Sequence, residues 1–301
     1  MNNKSISRVN PKTAHQLVSI IKFTSQLLHY HDIPYWMNGG TMLGAVRHGG
    51  LIPWDDDADF FMFQDDIKRL IALRPTLKVL GFGLVKFWGG YKIYRLDGKS
   101  IDHNGSRLPW KFPFIDLFPT EITLDKSPVQ YKKVMHNLQK YSNYNVEYHV
   151  KEAKLKYKNE HMKVKDTFPL KQYKFHDFHL NGPKTFKFFN LAYPKWENKV
   201  FKNYNHEKEE FIVPPIYVNL VTKSPAILDK KPYLYEFPYG MWDQAYVTNL
   251  DIHPKRLKNM ASRLKKVGIS FVRHKNLYKT NLNFNKLMSS KFHNQGLLKS
   301  N

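Results

Sequence analysis

The residues best suited to chemistry are two acids of an early acidic cluster. Asp57 and Asp59 flank Ala58, and the apolar run at residues 60–63 that follows is typical of a buried strand. Because side chains alternate along a strand, both carboxylates would face the same way, while Ala58 and Phe60 would face the core. Two such neighbours repel each other, and a divalent cation removes that conflict. The pair therefore predicts a metal site for Mg²⁺ or Mn²⁺.

A third acid stands alone in a second apolar segment. Asp116 lies between Ile115 and Leu117 within residues 112–119, a stretch that otherwise reads as a buried strand. An unpaired buried charge is very costly, so this carboxylate needs a partner. A metal shared with the first two acids would supply one. The open alternative is that Asp116 caps a strand end or pairs with an arginine.

A glycine turn precedes the acidic cluster. Its residues 38–41 read Asn-Gly-Gly-Thr and join a short strand to a helix, which leaves backbone N–H groups free for phosphate oxygens. A Gly-Gly turn alone is a weak signal, since most are only turns. The candidate phosphate-binding residues are the turn and two nearby basic side chains, namely Gly39, Gly40, Thr41, Arg47 and Lys92.

Other interpretations of these residues stay open. The Asp-Ala-Asp pair also suits a glycosyltransferase that uses a nucleotide-sugar, and a solvated acidic loop would look similar. His176 and His179 could ligate a metal, although isolated histidines are more often structural. Trp54 and Trp88 could stack on a base, line an acceptor groove or pack in the core.

The elements expected to position these residues alternate between helical and strand-like patterns, which indicates a mixed α/β or α+β class. Asn10 and Pro11 open a helix with an apolar stripe that continues to residue 28. The other predictions are a strand at 35–37, a helical turn at 41–47, a helix at 65–78, a hairpin at 80–96 and a helical, lysine-rich stretch at 126–165.

Composition limits the class of protein. The formal charge is +23, which fits either a phosphate-rich partner or a lysine-rich proteome. A nucleic-acid partner is a weaker third option, because no basic recognition helix is seen. The absence of cysteine excludes disulfides, thiolate zinc sites and cysteine nucleophiles. Neither a signal peptide nor an apolar run of membrane-spanning length is found. We expect a cytoplasmic protein, with peripheral contact at a membrane left open.

At this point the motifs resemble a known family. Residues 37–59, which read MNGGTMLGAVRHGGLIPWDDDAD, resemble the signature of the LicD family, which includes bacterial phosphocholine transferases and, more distantly, fukutin and fukutin-related protein. The FIDLFP segment at 114–119 and the later PLK, Phe175, Tyr193-Pro194 and Trp196 positions continue the resemblance. Ala58 departs from the pattern, where Ile or Val is usual.

The resemblance implies an α+β fold with a nucleotidyltransferase core of the polymerase-β type, a mixed sheet flanked by helices and a lysine- and aromatic-rich C-terminal extension. It implies a catalytic core at 10–125, a LicD-type region with acceptor-binding elements at 126–280 and a polar tail at 281–301 that could be disordered. The implied reaction is metal-dependent transfer of a substituted phosphate from a CDP-linked donor to a hydroxyl of a glycan or lipid-linked glycan, with release of CMP. Asp57, Asp59 and Asp116 would hold Mg²⁺ or Mn²⁺, and no nucleic acid is expected. A basic nucleic-acid-binding protein without catalysis remains the non-enzyme alternative.

Overall fold

The structure is a computed structural model that describes residues 6–125, 127–229, 233–235, 245–248, 255, 258–259, 261–262 and 271–274. The chain forms two units, Met1–Tyr239 and Gly240–Asn301. The site lies in the first unit, so the fold is given in detail there.

The first half of this unit supplies the elements around the predicted motifs. They are α1 (Pro11–Tyr30), β1 (Tyr35–Met37), α2 (Gly39–His48), β2 (Asp59–Phe63), a 3-10 helix (Gln64–Asp66), α3 (Ile67–Ala72), α4 (Arg74–Val79), β3 (Phe82–Phe87), β4 (Gly90–His103) and β5 (Ser106–Leu124).

Shorter elements follow. They are β6 (Ser127–Val129), α5 (Tyr131–His136), β7 (Asn145–Tyr148), α6 (Lys151–Lys156), β8 (Met162–Lys163), α7 (Val164–Thr167), β9 (Lys171–Phe175), β10 (Phe178–Gly182), α8 (Phe189–Ala192), β11 (Lys199–Asn205) and β12 (Glu210–Asn219). In the second unit, β13 (Ala245–Thr248) and β14 (Phe271–His274) pair in parallel.

A mixed eight-stranded sheet forms the centre of the first unit. Its main path runs β1-β2-β5-β4-β3, while β6 and β7 also pair with β5, and β8 pairs with β7. The β2–β5 pair is parallel, and its neighbours on both sides are antiparallel. The observed mixed sheet flanked by helices confirms the mixed class predicted from the sequence.

One face of the sheet packs on α1. The side chain of Asn10 caps this helix by accepting a hydrogen bond from the Lys12 N–H at 2.8 Å, and Pro11 occupies its first turn. The apolar stripe of α1 is buried against alternate residues of the central strands, among them Phe60, Ile93 and Ile115. The helix predicted from residue 10 is therefore confirmed, because its cap and its stripe agree.

The opposite face carries an aromatic cluster and the short helices of residues 131–167. Trp36, Phe61, Phe63 and Phe118 lie in this cluster. Ala58 and Phe60 are both buried, as predicted. Adjacent residues of a strand face opposite sides of the sheet. Phe60 therefore packs on the α1 side, and Phe61 packs in the aromatic cluster.

Two helix predictions, at residues 65–78 and 126–165, are wrong in their extent. The lysine-rich stretch at 126–165 is not one helical region among its described residues, because its apolar positions alternate and form β7 and β8 on the edge of the sheet. The single helix predicted at 65–78 is divided into a 3-10 helix, α3 and α4. Pro75 lies in the first turn of α4, where its missing N–H ends the preceding helix.

The domain limits stay a prediction. The sheet continues past residue 125, since β6 and β7 pair with β5. The polar tail at 281–301 lies outside the described residues. Within the part of the chain that the structure describes, we find no helix with the length and hydropathy needed to cross a bilayer.

Candidate active site

A cavity of about 430 Å³ opens on the face of the sheet opposite α1. We call its first side the motif wall, which consists of Asn38, Gly39, Gly40, Asp55, Asp57, Asp59, Lys92 and Asp116. We call its facing side the distal wall, which consists of Tyr148, Lys156, Tyr157, Glu160, Tyr193, Asn203, Tyr204, His206, Glu209 and Phe211. The remaining lining is mostly aromatic and includes Trp88 and Trp110.

Sheet register places three of these side chains in one row. Asp59 on β2 is the direct partner of Asp116 on β5, and Asp116 is in turn the partner of Lys92 on β4. Directly paired residues of neighbouring strands project from the same face of a sheet. The Lys92 ammonium donates to both oxygens of Asp116, at 2.7 and 2.9 Å. The lone acid of β5 thus has a cation beside it.

Asp57 joins this row from the turn just before β2. One oxygen each of Asp57, Asp59 and Asp116 lies within 4.8 Å of the others, so the three could hold a metal ion. The Asp116 N–H donates to the Ala58 carbonyl at 2.7 Å. This bond extends the β2–β5 pairing to residues 55–58, which we call the acidic turn. The structure thus brings together the three acids named from the sequence.

The glycines of the turn have a steric role beside these acids. Gly39 has a φ of +54°, and a Cβ there would lie 2.6 Å from Asp59 Oδ2. A Cβ on Gly40 would overlap the carboxylate of Asp55. Only glycine allows both the backbone conformation at residue 39 and this approach of carboxylates to the turn.

Thr41 and Asn38 hold the same turn in place. The Thr41 hydroxyl accepts a hydrogen bond from the Asp59 N–H at 2.8 Å. The Asn38 N–H donates to the Asp59 carbonyl at 3.1 Å. Thr41 therefore fixes the backbone of an acid of the cluster, and it is not part of the cavity lining.

The acids of the motif wall strongly affect one another. Burial, followed by the charge of Asp57, raises the pKa of Asp55 to about 7. Burial and the neighbouring carboxylates raise the pKa of Asp59 well above its ordinary value. Burial also raises the pKa of Asp116, more than Lys92 lowers it. Such a cluster favours a bound cation, because a cation is what would let all these acids ionise together.

The donor set also fits a hard divalent ion. Three carboxylates with no thiolate match Mg²⁺ or Mn²⁺, which prefer oxygen ligands and complete their shell with water or substrate phosphate. Asp57, Asp59 and Asp116 are the residues that would hold such an ion.

The sequence analysis missed an acid on the distal wall. Glu160 is buried and accepts hydrogen bonds from the hydroxyls of Tyr148 and Tyr193 and from the Asn38 amide, at 2.7 to 3.0 Å. Burial raises the pKa of Glu160. This network ties the distal wall to the glycine turn. No sequence pattern could have indicated it, because its members are far apart in the chain.

His206 is the second residue missed. It follows β11 and reaches the acidic turn, where its ring nitrogens lie 3.1 Å from Asp56 Oδ1 and 3.0 Å from Asp57 Oδ2. Burial disfavours the charged ring, but the charges of Asp57 and Asp56 outweigh it and raise the pKa of His206 to about 9. The family resemblance noted in the sequence extends only to Trp196, so no motif pointed to His206.

Lys156 is a third cation of the cavity. Its ammonium lies 4.5 Å from the centroid of the Trp88 ring. Among the described residues, no carboxylate lies within ion-pair distance of Lys156, whereas Lys92 and His206 both have acidic partners. Burial lowers the pKa of Lys156. Its charge is therefore the one available to an anionic ligand in the described cavity.

Besides Thr41, four residues considered from the sequence lie outside the cavity lining. Arg47 donates to the carbonyls of Trp196 and Lys199 at 2.6 and 3.1 Å, so its guanidinium ties two segments together. His176 accepts from the Leu51 N–H at 3.1 Å, and burial lowers its pKa to about 4. The other two are His179, which is exposed on β10, and Trp54, which is buried. Trp88, in contrast, lines the cavity and is 46% exposed.

A mixed sheet with three converging carboxylates, a glycine turn and a cavity lined by acidic, basic and aromatic side chains defines a candidate metal-binding enzyme site. The family model described as LicD/FKTN/FKRP, nucleotidyltransferase domain, matches residues 32–185, just over half of the chain. The chain therefore belongs to this family.

Similar proteins are both bacterial and mammalian. An uncharacterized protein of Rickettsia typhi is 28% identical over 63% of this chain and 49% of its own length. The lipopolysaccharide cholinephosphotransferase LicD of Haemophilus influenzae is 41% identical over 18% of this chain and 20% of its own. The human ribitol 5-phosphate transferase FKRP is 38% identical over 18% of this chain and 11% of its own length. The chain thus spans about half the length of the rickettsial relative and far less of the other two.

Proposed function

We propose that this protein is a metal-dependent phosphotransferase. It would move a substituted phosphate from a CDP-linked donor to a glycan hydroxyl and release CMP. The observation that carries the proposal is the convergence of Asp57, Asp59 and Asp116 in one cavity beside the glycine turn. Membership of the LicD/FKTN/FKRP family and the transferase names of two relatives support it. A polymerase-β-like arrangement of the sheet is the corresponding fold proposal.

The proposed metal residues are the three converging acids. A divalent ion bound there would neutralise phosphate charge and make the acceptor hydroxyl more acidic. Burial and then the neighbouring carboxylates raise the pKa of Asp59, and the same ion would favour its ionised form.

The chain's own residues would orient the reactants and take up the proton. In the proposed reaction, a bond forms between the acceptor oxygen and phosphorus while the bond from phosphorus to the CMP oxygen breaks. Asp116 would accept the hydroxyl proton, and the Lys92 ammonium at 2.7 Å favours its ionised form beforehand. CMP leaves with the electron pair of the broken bond.

The donor phosphates would lie between the glycine turn and Lys156. Gly39 and Gly40 line the cavity beside the acids, and Lys156 has no acidic partner among the described residues. Lys92 would contribute mainly through Asp116. Arg47 has no part in the donor site proposed here, because it does not line the cavity and its guanidinium binds two backbone carbonyls.

The acceptor would enter along the aromatic side of the distal wall. Tyr204 and Phe211 of the β11–β12 hairpin and Trp88 line this part of the cavity. Aromatic faces pack well on the apolar faces of sugar rings, and their polar edges remain available to hydroxyls. A free glycan or a lipid-linked glycan would present the same hydroxyl chemistry.

The proposal is tested by incubating the full chain with CDP-choline, CDP-ribitol and related CDP-linked donors, with and without an oligosaccharide mixture. We expect Mg²⁺ or Mn²⁺ to support CMP release, measured by chromatography, and EDTA to stop it. The Asp57→Asn variant serves as the matched negative control. CMP release that persists in EDTA would contradict the metal-dependent mechanism.

The same assay separates the other candidate functions. A glycosyltransferase would release a nucleoside diphosphate from a nucleotide-sugar and leave the CDP-linked donors intact. A basic nucleic-acid-binding protein would bind DNA or RNA in a salt-sensitive manner without nucleotide turnover. Either result would replace the proposed function.

A further inference from the structure

The β11–β12 hairpin is attached to the acidic turn through Asp56. The backbone N–H of His206 donates to Asp56 Oδ2 at 3.0 Å, and its ring Nδ1 lies 3.1 Å from Asp56 Oδ1. Lys202 on β11 adds a 3.2 Å contact to Asp56 Oδ1 and also donates to the carbonyl of Trp54. These contacts span about 150 positions of the chain.

Asp56 itself has a different role from its neighbours. Its carboxylate is buried and accepts contacts from the His206 backbone N–H, the His206 ring and the Lys202 ammonium. Among the residues that the structure describes, Asp56 could share a metal ion only together with His206, whereas Asp57 also groups with Asp59 and Asp116. Asp56 is therefore the anchor of the hairpin.

The same histidine reaches the proposed metal site. With Nδ1 held on Asp56, His206 Nε2 lies 3.0 Å from Asp57 Oδ2. His206 therefore holds Oδ2 of Asp57, and the other carboxylate oxygen remains available to a cation. Polar partners of this kind orient metal-binding carboxylates and restrict their rotation.

We propose that His206 is a positioning residue that holds Asp57 in the orientation needed to bind the catalytic metal, with Asp56 as its support. This inference rests on the proposed function. It adds a component from outside residues 32–185, the range of the family match. The β11–β12 hairpin then helps to build the metal site as well as the cavity wall.

A competing role for His206 is direct metal ligation. Asp56, Asp57 and His206 also come close enough to form a candidate metal group. Its Nδ1, however, already bonds Asp56, and Lys202 and a backbone N–H occupy the same carboxylate. These donors compete with a cation at Asp56, which favours the positioning role.

The test measures Mn²⁺ affinity directly by electron paramagnetic resonance on the full chain. We expect His206→Ala to weaken Mn²⁺ binding about 10- to 100-fold, the usual effect of losing such a partner. His206→Gln, whose amide can still donate to Asp57, should recover most of the affinity. The main-chain hydrogen bond to Asp56 and the Lys202 contact remain in both variants, so the hairpin should stay attached.

A surface pair of the same chemistry provides the matched control. His149 lies 2.8 Å from Glu121 and does not line the cavity, so His149→Ala should leave Mn²⁺ affinity unchanged. The activity deficit of His206→Ala should shrink as Mg²⁺ is raised, because the lost interaction acts on metal binding. A deficit that persists at saturating Mg²⁺ would contradict the positioning role.

Two further results would overturn the inference, and they are distinct from failure of the proposed function. Unchanged Mn²⁺ affinity in His206→Ala would remove the positioning role while leaving the metal site intact. Nitrogen coupling to bound Mn²⁺ in electron spin echo spectra, absent in His206→Gln, would make His206 a ligand instead. A wild-type chain that binds no divalent cation would instead refute the proposed function together with this inference.

Discussion

The motif wall and the distal wall of the cavity are held in place by different kinds of interaction. In the motif wall, backbone pairing between β2, β5 and β4 sets the row of Asp59, Asp116 and Lys92. In the distal wall, side chains such as Glu160 and His206 reach their places through hydrogen bonds to residues more than 100 positions away. The first wall is built by the sheet, and the second is attached to it.

This difference separates two roles. Register-fixed carboxylates have little freedom to move, which suits groups that must stay aligned with reacting atoms. Side chains attached by ion pairs can be lost without breaking the sheet. Under the proposed function, changes in the motif wall should lower kcat, and changes in the distal wall should act on metal or donor affinity.

The largest effect is expected from the register-fixed acids. Asp59→Asn and Asp116→Asn should each lower kcat at least about 1,000-fold, as loss of a principal electrostatic group does. The Asp59→Asn variant should also melt no lower than the wild type without metal, because burial disfavours the ionised form of Asp59 and the amide is uncharged. Steady-state kinetics measures the loss of kcat, and thermal unfolding measures the melting temperature. Metal-dependent turnover retained by either variant would refute the role of the motif wall.

A smaller loss is expected from the glycine turn. Gly39→Ala should lower kcat about 100-fold, because its Cβ would lie 2.6 Å from Asp59 Oδ2 and displace that carboxylate. Gly49→Ala is the matched control, since Gly49 also has positive φ, at +70°, but a Cβ there meets nothing within 4 Å. Both variants should lose about 1 kcal/mol of stability from backbone strain. Equal kinetic effects would contradict the steric role of Gly39.

The distal wall should affect affinity for the donor. Lys156→Ala should raise KM for the CDP-linked donor about tenfold with little change in kcat, since one charge-assisted contact to phosphate is lost. Lys158→Ala, an exposed neighbour outside the cavity, is the control. A fall in kcat at constant KM would instead place Lys156 at the reacting phosphate.

The smallest effect is on stability and depends on pH. The pKa of Asp55 is raised to about 7 and that of His206 to about 9, so the folded metal-free protein holds protons that the unfolded chain releases. Burial lowers the pKa of His176 to about 4 from 6.5, which acts in the opposite direction below pH 6.5. Above that pH the stability should fall as pH rises to about 9, lowering Tm by roughly 5 °C across this range. Mg²⁺ should reduce this loss. Calorimetry that finds the same pH dependence with and without Mg²⁺ would count against the metal site.

Parts of the fold were predictable because their signals are local. The cap at Asn10, the apolar stripe of α1 and the strand at residues 60–63 follow from short-range patterns. The lysine-rich stretch was predicted wrongly because composition favoured helix, while pairing with β5 and β8 selected a strand at residues 145–148. Tertiary pairing overrode composition there.

The sequence by itself determined which residues could carry the chemistry. Alternation along a strand predicts that Asp57 and Asp59 face the same way, and an acid at residue 116 in an apolar segment requires a partner. Only the tertiary structure decided that Asp116 is the register partner of Asp59, and that His206 meets the acidic turn. Alternation along a strand is a local property, but strand register and long-range hydrogen bonds depend on the packing of the whole unit.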